Sequence, residues 1–210
     1  MNILILGPQG SGKGTQGRLL AKKYDLFYFD CGAFLRKLSE KNEIIKKTLQ
    51  AGKLLPSKEL ASYIANYFDE KQTWDNIIFD GYPRTLEQYE FFKNWLKDKN
   101  MNLDLVIVLK ISRKTSIKRL NARRLDPKTG KIYNLITDPP PPDVDQSKLV
   151  QREDDKPEAI KKRLEIYHSL TEPFINELKK DTLVFTINAE KPINEIHDEI
   201  GRIIDEKVNS

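Results

Sequence analysis

Apolar residues gather along this chain in short unbroken runs, separated by longer stretches in which they return every third or fourth position. The runs fall at 3–6, 26–29, 77–79, 105–111 and 183–187. A run without polar alternation fits a strand covered on both faces, as in a parallel sheet. The intervening periodicity predicts helices over 13–24, 58–69, 85–97, 112–124, 156–179 and 193–208, with Pro173 kinking the fifth. Strands alternating with helices predict an α/β architecture, a parallel five-stranded sheet flanked by helices.

Two stretches break the alternation. Residues 30–55 hold short helical pieces, and Gly52 is placed as a helix stop, so a small helical insert is expected after the second strand. Residues 125–152 are polar and rich in turn formers; the four prolines at 139–142 forbid a helix and favour an extended course, and DPKTGKIY has the pattern of a tight hairpin. This second stretch reads either as a disordered linker or as a functional lid, and its length within a compact domain favours the lid. The expected division is a core of 1–29, 56–121 and 156–210, a lobe of 30–55 and a lid of 122–155.

With 210 residues the chain is long enough to bury one core without covalent staples. Its net charge of +5, from 36 basic and 31 acidic side chains, suits phosphate-bearing partners but not a dedicated nucleic-acid binder. The lysines are scattered and lack an aromatic stacking platform, which again argues against nucleic acid. Cys31 is the only cysteine, so no intramolecular disulfide or multi-cysteine zinc site is possible and a reducing, cytoplasmic setting is expected. The opening MNILILG is too short an apolar run for a membrane helix or a signal peptide, so no membrane association is expected. His168 and His197 have no ligand partner at metal-binding spacing.

The chemistry concentrates in GPQGSGKGT, residues 7–15. G-x-x-x-x-G-K between a strand and a helix is the context of a phosphate-binding loop. Its backbone N–H groups converge on phosphate oxygens, the helix N-terminus adds a favourable dipole and Lys13 adds a point charge. Gly14 stands where a hydroxyl residue is common, and Thr15 is the next hydroxyl. A second motif, IIFDGYPRTLEQ at 77–88, puts Asp80 at the C-terminal end of a strand, where a carboxylate can hold Mg2+ directly or through water.

Together, GPQGSGKGT and DGYPRTLEQ resemble the adenylate kinase family of nucleoside monophosphate kinases, and the likeness covers essentially the whole chain. It implies a P-loop NTPase-type sheet with a helical monophosphate-binding insert and a lid, and reversible phosphoryl transfer from MgATP to AMP giving two ADP. The implied partners are ATP, AMP and ADP, the implied cofactor is Mg2+ without structural zinc, and the implied state is a monomer. By the same likeness Gly10, Ser11, Gly12, Lys13, Gly14 and Thr15 hold ATP phosphates, with Asp80 and Thr15 towards the metal. Arg119 stacks on the ATP adenine, and Tyr133 and Arg123 complete that site. Cys31, Gly32, Arg36, Leu55, Gly81, Arg84 and Gln88 surround AMP, and Arg152 and Arg163 join them at its phosphate. Lys13, Arg84, Arg123, Arg152 and Arg163 carry catalysis, where a planar guanidinium grips phosphate at two points.

Two positions stay open. Gln88 either reads the adenine edge with its amide or closes a capping box with Thr85. Asp155 either starts a helix as its cap, from the pattern Asp155-Lys156-Pro157-Glu158, or belongs with Asp154 to the hinge and lid closure that the family implies. The chain also departs from the family: DCGA at 30–33 stands where S-T-G-D is usual, and Asn134 follows Tyr133 where a histidine is common. The lid lacks the four-cysteine zinc site of some members. A UMP/CMP kinase on the same machinery is therefore an alternative, and a nucleotide-dependent switch is a more distant one.

Overall fold

In the computed structural model, which describes residues 1–208, the first strand and helix follow the hydrophobic pattern: β1 is Ile3–Leu6 and α1 is Lys13–Tyr24. Strand β2 (Phe27–Asp30) runs directly into α2 (Cys31–Ser39), because the Asp30 side chain accepts the Ala33 N–H at 2.8 Å and caps the helix. Helix α3 (Glu43–Gln50) follows, and beyond it the Lys53 N–H bonds Thr48 O at 3.1 Å across Gly52, so the predicted stop is where the chain turns. Then come α4 (Ser57–Lys71), β3 (Ile77–Asp80), α5 (Leu86–Asp98), β4 (Leu105–Lys110) and α6 (Arg113–Asn121). A hairpin of β5 (Arg123–Leu125) and β6 (Ile132–Asn134) opens the proline-bearing segment. Helices α7 (Pro157–Ile166) and α8 (Glu172–Asp181), strand β7 (Val184–Asn188) and helix α9 (Ile193–Val208) complete the described chain.

Two of the expected helices differ in detail. The helix expected over 112–124 stops at Asn121, because residues 123–125 pair with 132–134 and the Ala122 carbonyl accepts the Leu135 N–H at 3.0 Å. The pull of a distant strand outweighs local helical propensity. The helix expected over 156–179 is interrupted ahead of Pro173: α7 passes through a wider π-helical turn, Tyr167–Thr171, and Pro173 falls in the first turn of α8. A proline lacks the donor that an unbroken helix needs, and the wider turn absorbs the mismatch.

The sheet order is β2-β3-β1-β4-β7, all parallel. Side chains alternate through each strand, so β1 sends Leu4 and Leu6 into one core and Ile3 and Ile5 into the other. The first core is aromatic: the buried ring of Phe68 lies 4.9 Å from Phe29, 5.7 Å from Phe79 and 5.2 Å from Trp95 between centroids. The second is aliphatic and joins Ile78, Ile107, Ile200 and Ile204 beneath α1 and α9. Both faces are covered, so only the ends of the strands are open to a ligand, and chemistry in such sheets collects at the C-terminal ends.

Phe68→Ala is expected to cost about 3–5 kcal/mol, the range for deleting a buried aromatic side chain. Urea denaturation measures it; a loss below about 1 kcal/mol would mean that this ring is not a keystone of the aromatic core.

Candidate active site

At the C-terminal end of β1 the chain turns through residues 7–12 into α1. Gly12 has φ +92°, yet a Cβ there would meet nothing within 4 Å, so glycine is needed for the backbone conformation and not for space. The turn lies over the α1 N-terminus, whose N–H groups have no partners in their own helix. Lys13 reaches back across it, Nζ donating to Gly7 O at 2.7 Å and Pro8 O at 3.0 Å. Burial lowers this ammonium to about 8; Asp80 opposes the shift, and Arg84, Arg163 and Arg123 reinforce it. The Ser11 hydroxyl is buried beside it and has no hydrogen-bond partner among the described residues. Arg119, on α6, donates from Nη1 to Gly10 O at 3.4 Å.

At the end of β3, Asp80 is 7% exposed and faces Lys13. Burial pushes its carboxyl up while Lys13 opposes, and Tyr28 donates its hydroxyl to Oδ2 at 2.7 Å. Just beyond, Arg84 Nε donates to Gly81 O. The Thr85 hydroxyl caps α5 by accepting the Gln88 N–H at 3.2 Å, which is half of the expected capping box. The other half differs: Gln88 Oε1 accepts the Arg84 N–H, at 2.8 Å, and not that of Thr85. The buried glutamine thereby pins the backbone of Arg84, one residue ahead of the cap.

The lid-side arginines are held by carboxylates. Asp155 is fully buried and takes Arg123 in a two-point pair, Nε to Oδ2 at 2.7 Å and Nη2 to Oδ1. Asp154 pairs with Arg152 at 2.9 and 2.5 Å, and with Arg163 at 3.3 Å. Arg163 also donates to the Asp154 carbonyl at 2.8 Å. Burial alone pushes the Asp154 carboxyl up, but Arg163 and Arg152 outweigh it and hold it well below the usual carboxylate range. The cap reading of Asp155 is therefore corrected: the residue before α7 is Lys156, no side chain caps that helix, and Asp155 spends its oxygens on arginines from two other elements.

Lys13, Asp80 and the arginines line one cleft of about 1580 Å³. A single small-molecule site spans about 300–1,000 Å³, so the cleft has room for two ligands. The predicted Gly10, Ser11, Gly12, Lys13, Gly14 and Thr15 line it, as do Arg119, Arg123 and Tyr133. So do Cys31, Gly32, Arg36, Leu55, Gly81 and Gln88, together with Asp80, Arg84, Arg152 and Arg163. The cleft also includes residues 190–194 after β7, which no motif marked; their signal was their position at the end of a strand of a parallel sheet.

The family model for adenylate kinase matches residues 5–183. The chain is 36% identical to an adenylate kinase of Thermococcus onnurineus, covering 98% of this chain and 94% of that protein. It is also 36% identical to one of Pyrococcus furiosus, over 98% and 96% of the two chains, and 32% identical to one of Petrotoga mobilis, over 97% of each. The chain belongs to the adenylate kinase family.

In this adenylate kinase family member the cleft offers backbone donors, the buried Lys13 ammonium and several guanidinium groups, a set suited to phosphates. Asp80 and Thr15 are hard oxygen donors on the same wall, the chemistry that Mg2+ takes. Among the described residues no group of three or more His, Cys, Asp or Glu side chains is arranged to hold a metal ion, and no helix is long and apolar enough to cross a membrane.

Asp154→Asn leaves Arg152 and Arg163 without their shared charge and is expected to cost about 1.5–3 kcal/mol at pH 7. Because the folded carboxyl lies below its ordinary value of 3.8, its contribution is present above that pH and disappears as pH falls through the folded value. In urea titrations the difference between parent and variant should be constant from pH 7 to about 5 and shrink below about 4. A difference that persists undiminished at low pH would contradict the clamp.

Proposed function

We propose that the cleft catalyses MgATP + AMP ⇌ 2 ADP by direct in-line transfer. The observation that carries this reading is the convergence of Lys13, Arg84, Arg123 and Arg163 on one cleft with room for two nucleotides. An oxygen of the AMP phosphate attacks the terminal phosphorus of ATP as the bond to the bridging oxygen breaks. Such transfer needs positioning and charge stabilisation more than acid or base chemistry.

In this reading the loop of 7–15 cradles the ATP phosphates, Lys13 supplies charge to the transferring group, and Arg119, Tyr133 and the 190–194 segment flank the base. Asp80, through water, and Thr15 would hold Mg2+, which neutralises phosphate charge when bound. Arg36 and Arg84 grip the AMP phosphate. Arg123, Arg152 and Arg163 exchange part of their hold on Asp154 and Asp155 for the transferring phosphoryl group. The segments 30–55 and 122–155 close over the nucleotides to exclude water, which would otherwise accept the phosphoryl group. We read the protein as a cytoplasmic monomer without structural zinc; its single cysteine suits a reducing compartment.

AMP is the acceptor in this reading because of Gln88. Its Oε1 is fixed by the Arg84 N–H, and its amide N–H groups remain for the adenine edge, with one lone pair left on Oε1 for the adenine amino group. The Cys31 thiol, pushed up to about 12 by burial, keeps its proton and offers only a weak donor, so it does not redirect the choice of base.

ADP formation from MgATP across AMP, CMP, UMP and GMP tests the assignment: AMP should lead by about tenfold or more in kcat/KM, the value of one good two-point base contact. Equal turnover of CMP or UMP would overturn it. Lys13→Met and Arg84→Ala should each cut kcat by about three orders of magnitude or more while circular dichroism and Tm stay near those of the parent. A folded variant with near-parent turnover would remove that residue from the site.

A further inference from the structure

Helix α1 carries glycines at positions 14 and 17, three residues apart and so on one face. Glycine inside a helix is costly, and here space explains it. A Cβ on Gly17 would lie 3.0 Å from Cδ2 and 3.3 Å from Cζ of Tyr28, and one on Gly14 would lie 3.3 Å from its hydroxyl. The Tyr28 ring therefore packs against the α1 backbone at Gly14 and Gly17, with the Arg18 guanidinium 5.8 Å from its centroid. From that slot its hydroxyl reaches across from β2 to β3 and donates to Asp80 Oδ2 at 2.7 Å. Asp80 Oδ1 takes no hydrogen bond from the described residues.

We propose that Tyr28 is a positioning residue for the reaction: its hydroxyl occupies Oδ2, fixes the rotation of the carboxylate and leaves Oδ1 for the metal that accompanies the nucleotide. Gly14 and Gly17 are the space that lets the phenol lie there. The inference rests on the reading of Asp80 as the metal-side carboxylate. It adds that a residue with no place in either sequence motif sets the orientation of that carboxylate. Outer-shell partners of metal-holding groups are worth about 10–100-fold in metal affinity or activity.

Tyr28→Phe keeps the ring in its slot and deletes only the hydroxyl. The probe is Mn2+ affinity for the enzyme–ADP complex, followed by electron paramagnetic resonance, with metal-free ADP binding by calorimetry and Tm as controls. Tyr28→Phe is expected to weaken Mn2+ about tenfold while metal-free ADP affinity stays within about twofold and Tm is nearly unchanged. Asp80→Asn, measured in parallel, separates the two readings. If Asp80→Asn weakens Mn2+ and Tyr28→Phe does not, the inference about Tyr28 fails and Asp80 keeps its role. If neither variant alters Mn2+ affinity, the reading of Asp80 fails and the inference falls with it. A Tyr28→Phe variant that loses Tm and metal-free ADP affinity in step with Mn2+ affinity would make the tyrosine a packing residue and overturn the proposal.

Discussion

The cleft gathers more positive charge than its own carboxylates can balance, and the rest of the structure is arranged around that imbalance. Lys13, Arg84, Arg123 and Arg163 are close enough to act on one another, and Arg152 and Arg36 stand nearby. Burying unpaired cations is costly, so each must find an acceptor in the absence of substrate. Lys13 takes the carbonyls of Gly7 and Pro8, Arg84 that of Gly81, and the lid-side arginines take Asp154 and Asp155. These are weaker or shared partners than a triphosphate, which is what leaves the site ready for an anion.

The fold supplies the rigidity this requires. Parallel strands covered on both faces put Asp80 and the start of the phosphate-binding turn at neighbouring strand ends, with β1 and β3 in register from Ile3 and Ile78 to Ile5 and Asp80. The two cores beneath them fix those ends, and α2 and α3 join the aromatic one through Cys31, Leu35 and Ile45. Asp155 binds arginines from β5 and α7, so the segment bearing the hairpin is tied to the helix that follows it through charge as much as through packing.

What the sequence disclosed follows from how local its signals are. The strands, α1 and the phosphate-binding turn were legible because runs of Ile, Leu and Val and the glycine spacing act within a few residues. The end of α6 was not, because the strand that claims Arg123–Leu125 lies beyond the turn at 126–131. Asp-Lys-Pro-Glu matches a helix start and so points to Asp155 as a cap, yet its principal partner, Arg123, is 32 residues away. Gln88 had both readings open, and in the fold its side chain bonds the backbone of Arg84, which neither reading anticipated. Tyr28 carried no signal within FYFD; the only trace was the pair of glycines on one face of α1 that its ring requires.

The direct test of the unbalanced cleft is proton uptake on nucleotide binding. Burial lowers Lys13 to about 8, so part of its population is deprotonated at pH 8, whereas the phosphates of ADP are fully ionised there. Calorimetry of metal-free ADP binding at pH 8, in buffers of different ionisation enthalpy, should report net proton uptake that vanishes in Lys13→Met. Binding with no uptake, or with proton release, would contradict the account.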